Sequence, residues 1–363
     1  MEFMPPTPPF EFIDAIHVRC RNRSLCYFGG CNYLGLSFHP KVQEAFAAAA
    51  REGPLQTGAS RATTGEHPAY RRWERKLARF FQVEECLSLT TGYLAPIAAA
   101  QALRGAITHV LLDAAAHPCV VDAARITGVS VRTFAAADPH ALQALLQRLP
   151  PDARPLVACD GTYGTRGGAS PVDAYLARLP KSGYLLVDDA HGAGTIGPRG
   201  RGLCARLGLS DPRLIQTISL AKAFGVTGGA ILGSSAIVTA ARGQAGGWIG
   251  SAAPLLSSIP ALETALELIL ARPGPVDRLQ SNVQEMHELL PDRPEVIKHP
   301  ETPVVGLFPG SPTEAIAIRR ALWRAGIFPS YIHYPGTSTG FFRFAVMSGH
   351  TRAEIRQLAA AIR

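Results

Sequence analysis

Short apolar runs that alternate with helical stretches constrain this chain most. HVLLDAA (109–115), VSVRTFAA (129–136), PLVACD (155–160), GYLLVDDAHG (183–192), LIQTISLAKA (214–223) and GGAILGS (228–234) each hold a few apolar residues in a row. Runs of that length bounded by turn formers read as buried strands. The first three are each followed by a helical pattern that opens near a proline, at about Pro118, Pro139 and Pro171. Proline suits a first helical turn, where its missing N–H would have had no partner. This rhythm predicts an α/β fold built on a mostly parallel, buried sheet.

The strand-like runs cluster between about residues 85 and 235. Residues 1–44 are expected to form an N-terminal arm, extended to about residue 40, and KVQEAFAAAAR (41–51) reads as a helix. Residues 45–260 then make the large domain. A long helical segment from about 253 to 271, PVVGLF, a helix near 312–325, FFRFAVM and a last helix predict a small C-terminal α+β domain over 261–363.

Composition removes several functions. The net charge of +8 comes from scattered arginines, with no interleaving of basic and aromatic residues, so nucleic acid is not expected. Anionic small molecules suit the charge equally well. The seven cysteines lack a CxxC pair, which argues against a disulfide framework and a zinc site, so no metal is expected. No run is long enough to span a bilayer, and the proline-rich start does not read as a signal peptide, so a cytoplasmic setting is expected.

Parallel sheets carry their sites at the carboxyl ends of strands, and three such ends here are reactive. Asp188 and His191 sit where YLLVD gives way to a glycine-rich turn. A carboxylate there is costly unless a cation or a shared proton balances it. A structural ion pair or a helix cap is the plain alternative. Lys222 follows LIQTIS among small and apolar residues, in a chain whose other lysines are Lys41, Lys76, Lys181 and Lys298. Arginine could replace a lysine that only supplied charge, whereas a primary amine alone forms a Schiff base and then shuttles protons. The alternative is a lysine whose stem snorkels at a strand end. SLTTGYLAP (88–96) places Gly92 and Tyr93 just before a helix, where backbone N–H groups make a phosphate site; a simple turn and cap is commoner. The Ser219 hydroxyl lies three residues before Lys222 and suits the same phosphate, and His117 suits the flat face of an aromatic cofactor, although a lone histidine is more often a satisfied surface or core residue.

Taken in order, NYLGLSFHP (32–40), GASR (58–61), TTGY (90–93), Asp113 with His117, VDDAHGAGTIGPRGRG (187–202) and AKAFGVTGG (221–229) resemble the α-oxoamine synthases. The resemblance runs from about residue 30 to the C-terminus. It implies a fold type I pyridoxal-phosphate (PLP) transferase, aspartate-aminotransferase-like, that condenses a small amino acid with an acyl thioester and loses the amino acid's carboxylate as CO2. The look is nearest to 8-amino-7-oxononanoate synthase, an enzyme of biotin biosynthesis. By that resemblance Lys222 is the covalent attachment point, Asp188 the partner of the pyridine nitrogen, His191 the partner of the phenolic oxygen and His117 the residue stacked on the ring. Lys222, Asp188 and His117 are the implied catalytic residues. Gly92, Tyr93 and Ser219 resemble phosphate ligands, and Ser251 of GSAAP resembles the hydroxyl that a neighbouring subunit contributes, which implies a homodimer. Arg343 of GFFRFAVMSGHT matches the arginine for the amino acid's carboxylate, and Asn32 the asparagine of the N-terminal motif.

Several positions depart from that pattern. DGTYGTRGG (160–168) puts Asp160 in place of glutamate, Gly164 in place of serine and Arg166 in place of aspartate. Tyr70, Pro96 and Ala221 stand where histidine, asparagine and serine are common. The donor is expected to be acyl-CoA or an acyl-carrier protein. The rival readings are another fold type I enzyme, an aminotransferase or a lyase, and a PLP-binding protein without turnover.

Overall fold

The computed structural model of the chain describes residues 8–165, 167–290, 292, 294–333 and 340–362; Arg166 lies outside them. At the N-terminus, β1 (Glu11–Phe12), β2 (His17–Cys20) and β3 (Arg23–Cys26) form an antiparallel sheet. This corrects the expectation of an extended arm. Arg21 and Asn22 both take positive φ, 48° and 60°, the twist of a tight two-residue hairpin turn. Helix Pro40–Glu52 follows where expected, its first turn set by Pro40 and by the His39 side chain, which accepts from Lys41 N–H.

The central sheet contains β4 (Glu85–Leu89), β5 (His109–Asp113), β6 (Ser130–Phe134), β7 (Pro155–Asp160), β8 (Tyr184–Asp188), β9 (Leu214–Ser219) and β10 (Gly229–Gly233). Their order is β4-β10-β9-β8-β7-β5-β6. From β9 to β6 every neighbouring pair is parallel, and β10 runs antiparallel to both β4 and β9. This is the fold type I architecture. Register places Asp160 beside Asp188 and Asp188 beside Thr217, so three polar residues line up at the carboxyl ends of adjacent strands.

Burial on both faces explains the near-continuous apolar runs of β5, β7, β8, β9 and β10, whereas β6, expected to be buried, lies at the sheet edge with four of its five residues exposed. In β8, Leu186 packs with Ala99 and Val120 on one face, while Leu185 and Val187 pack with Tyr175 on the other. Helix Pro68–Phe81 presents Tyr70, Trp73, Leu77, Phe80 and Phe81 to a further core at helical spacing. Tyr70 is fully buried and its hydroxyl donates to Pro254 O at 2.6 Å.

The C-terminal part adds β11 (Val296–Ile297), β12 (Val304–Leu307), β13 (Tyr331–Ile332) and β14 (Phe341–Ala345), an antiparallel sheet ordered β11-β12-β14-β13. Helices Pro275–Leu289, Pro312–Arg324 and Arg352–Ala361 accompany it. The helix expected from about 253 begins at Ser258; before it, Ala253 and Leu256 donate their N–H groups to the carbonyls of Ala59 and Leu55. That pairing anchors the GASR loop.

Arg61 of the loop is buried beneath it, with Nη1 donating to Glu74 Oε1 at 2.6 Å and to Ser88 Oγ at 3.1 Å, and Nε to Glu66 at 2.9 Å. Removing one partner of a buried ion pair strands the other charge. Arg61→Ala is therefore expected to lower unfolding free energy by about 3–5 kcal/mol, read as a shift in the urea midpoint at unchanged slope. A shift worth less than about 1 kcal/mol, the range of exposed pairs, would contradict the role given to Arg61.

Candidate active site at the carboxyl ends of the central strands

Asp188 ends β8 at 6% exposure. Its Oδ1 accepts from the Thr217 hydroxyl at 2.9 Å and its Oδ2 from the Cys119 thiol at 3.4 Å. Among the described residues no cationic side chain forms a salt bridge with it. Burial pushes its carboxyl above the usual carboxylate range, against the pull of the Lys222 charge. Its sheet neighbour Asp160 is likewise pushed up, first by burial and then by the Asp188 charge. Two neighbouring buried carboxylates with neutral hydrogen-bond donors make a place that favours a cation.

Asp189 faces the opposite way. It is fully buried, its Oδ2 accepts from Leu203 N–H at 2.7 Å and from Gln216 Nε2 at 2.9 Å, and burial raises it to about 7. A side chain on Gly202, which has φ +84°, would strike this carboxylate. The second aspartate of VDDAHG thus shapes the turn that carries His191.

His191 lies between two partners. Its Nε2 is 2.7 Å from Lys222 Nζ and its Nδ1 is 2.6 Å from Tyr33 Oη. Burial, followed by the Lys222 and Arg343 charges, holds the imidazole well below its usual range, so the ring is neutral. A neutral ring has one donor and one acceptor; with an amine at Nε2, that atom accepts and Nδ1–H donates to Tyr33. Gly164 is the floor under this ring, since a Cβ built there would fall inside the imidazole. The glycine at 164 thereby gains a steric reason.

Lys222 follows β9 in a turn closed by Gly225 N–H to Lys222 O at 3.0 Å. Ser219, three residues earlier, meets the TTGY turn: a Cβ on Gly92 would come within 2.6 Å of Ser219 Cβ and 2.8 Å of Ser219 Oγ. Only glycine lets the turn and the serine hydroxyl stand side by side, next to the start of helix Leu94–Ala102. Tyr93 is 44% exposed and its hydroxyl donates to Asp122 at 2.5 Å, a bond that raises it to about 12. Its ring stands edge-on to His117 at 6.2 Å. His117 caps helix Pro118–Ile126, and its backbone N–H donates to Asp160 at 3.1 Å. Burial and the Lys222 charge lower the His117 imidazole.

Arg343, on β14 at 5% exposure, reaches the same centre. Its Nε donates to Gly164 O, Nη1 to Gly29 O at 2.8 Å and Gly30 O at 3.4 Å, and Nη2 to Cys31 Sγ at 3.1 Å and Tyr33 Oη at 3.2 Å. Asn32, between those last two residues, instead turns its Oδ1 to Ser37 N–H at 3.4 Å. Sequence reasoning named Asn32 and missed Cys31 and Tyr33. Ser251 lines a separate small crevice with Arg61, Thr90 and Trp248.

The family described as aminotransferase class I and II matches residues 27–362. The chain is 32% identical over 340 residues to the 8-amino-7-oxononanoate synthase of Maricaulis maris, covering 92% of this chain and 84% of that protein. It is 31% identical to a bifunctional biotin biosynthesis protein of Cutibacterium acnes, covering 93% of this chain but 52% of the relative, so it spans about half of that protein's length. A solved serine palmitoyltransferase from S. paucimobilis, with bound PLP-myriocin, superimposes with TM-score 0.89 at 24% identity, covering 97% of this chain and 90% of that one.

Proposed function

The chain belongs to the α-oxoamine synthase family of fold type I, PLP-dependent enzymes, and from that premise we propose that it joins a small amino acid to an acyl thioester with loss of CO2. The observation that carries this reading is the convergence of Lys222, His191 and Asp188 at adjacent strand ends, with Asp188 buried among neutral donors. The site fits the cofactor. Asp188 lacks the cation that a protonated pyridine nitrogen supplies, and the glycine-only contact of Gly92 with Ser219 leaves a cradle for a phosphate.

In this reading Asp188 takes the ring nitrogen, Gly92, Tyr93 and Ser219 the phosphate, His191 the phenolic oxygen and His117 the ring face. PLP, when bound, supplies an electron sink for the carbanion formed at the amino acid's α-carbon. Lys222 Nζ is both the attachment point and the base that holds the α-proton. Neutral His191, fixed by Tyr33 through Nδ1, keeps Nε2 open as an acceptor and orients the Lys222 amine. His117, kept uncharged by burial, offers a flat neutral ring. Asn32 belongs to the substrate side, and Ser251 reaches the phosphate of a partner subunit in a homodimer. The basic surface attracts an anionic CoA or carrier-protein thioester. Among the described residues no helix is long and apolar enough to cross a membrane, which is consistent with work in the cytoplasm. The relatives' names make 8-amino-7-oxononanoate synthesis, and with it biotin biosynthesis, the first pairing to test.

Arg343 binds the amino acid's carboxylate, because a planar fork of donors matches two oxygens. Arg343→Gln is expected to weaken binding of the amino acid by roughly 2–5 kcal/mol, measured by equilibrium titration of the holoenzyme. Unchanged affinity would make Arg343 a purely structural residue. The substrate pair itself is found by screening small amino acids against acyl-CoAs of graded length and reading free thiol. No thiol from any pair would refute the proposed reaction.

A further inference from the structure

Arg343 is a buried cation without a carboxylate partner among the described residues. Its acceptors are three backbone carbonyls, a tyrosine hydroxyl and a cysteine sulfur. A buried charge calls for an opposite one, so this site points to an anion. All five guanidinium donors are already engaged, and an incoming carboxylate must displace an acceptor. The carbonyls bound by Nε and Nη1 are fixed by the backbone. Tyr33 is fully buried and also held by His191 at 2.6 Å. Cys31, half-buried, accepts from Nη2 at 3.1 Å and from the Tyr33 hydroxyl, and is the one acceptor that is neither backbone nor fully buried.

We propose that Cys31 sets the affinity for the amino acid by competing with its carboxylate for Nη2 of Arg343. This rests on the reading of Arg343 as the carboxylate's partner. The competition depends on the charge of the sulfur. Burial disfavours the Cys31 thiolate, but the Arg343 and Lys222 charges outweigh it and hold the thiol below its ordinary value. The groups that face the sulfur are Arg343 from β14, Lys222 from the turn after β9, and Tyr33 and Tyr27 from the N-terminal segment. Both tyrosines are pushed up by burial and by the sulfur's own charge, so neither supplies an anion in Cys31's place. Above the thiol's pKa the sulfur is the anion that neutralises Arg343. Below it the sulfur is a weak neutral acceptor that a carboxylate displaces readily. Binding at high pH therefore takes up one proton at Cys31 Sγ, and affinity falls as pH rises.

The test is equilibrium binding of L-alanine and of glycine to the holoenzyme at about pH 6 and about pH 9, on either side of the ordinary thiol value. Wild type, Cys31→Ala, Cys31→Ser and Arg343→Gln are compared. Linkage sets the expected loss for wild type at up to about tenfold per pH unit above the thiol's pKa. Both Cys31 variants lose that component, so each binds more tightly than wild type at the higher pH and within about twofold of it at the lower. Calorimetry in buffers of different ionisation enthalpy should show one proton fewer taken up by each variant. Identical pH dependence and proton uptake in wild type and both Cys31 variants would overturn the competition while leaving the Arg343 reading intact. Unchanged affinity in Arg343→Gln would overturn both.

Discussion

Lys222→Ala is expected to abolish borohydride-stable labelling by the cofactor and to lower turnover by roughly 10²- to 10⁴-fold from the lost acid–base role alone. Wild-type protein, reduced and digested, should carry the pyridoxyl group on the peptide spanning Lys222. The argument is local. Lys222 Nζ lies 2.7 Å from a neutral His191 whose other nitrogen is tied to Tyr33, so the amine is held in one place beside an acceptor. Lys181 and Lys298 lack that setting; Lys298 Nζ, for instance, donates to the carbonyls of His287 and Leu290. A label on either of them, or near-normal turnover in the variant, would show that the amine at 222 is not the reactive one.

The second large effect is expected at Asp188. Asn keeps the size of the side chain and an acceptor for the Thr217 hydroxyl, but removes the negative charge. A charge placed in advance where a cation must be stabilised, in a site shielded from water, contributes strongly to rate. Asp188→Asn should therefore bind PLP and yet slow exchange of the amino acid's α-proton in heavy water by about 10²- to 10³-fold. Retained exchange at the wild-type rate would mean that Asp160, the neighbouring buried carboxylate, supplies the charge instead.

The sequence was most legible where the physics was strongly patterned. Apolar runs long enough to bury both faces marked the inner parallel strands, and reactive residues just beyond them marked Asp188, His191 and Lys222. The N-terminal hairpin was missed because its strands are only four residues long in β2 and β3 and its turn uses Arg21 and Asn22 in place of glycine. Cys31 and Tyr33 were missed because nothing local distinguishes a residue whose partner, Arg343, lies more than three hundred positions away. Gly164 stood out as a departure from the family pattern, but its reason needed the three-dimensional position of the His191 ring.

The reaction itself is tested most directly by supplying a carboxyl-labelled small amino acid and an acyl thioester to the holoenzyme, and measuring labelled CO2 and free thiol together. Equal amounts of the two, both dependent on the presence of each substrate, are the result expected of decarboxylative condensation. A keto acid and an aminated cofactor, with no thiol released from any pair, would identify a transaminating enzyme and contradict it.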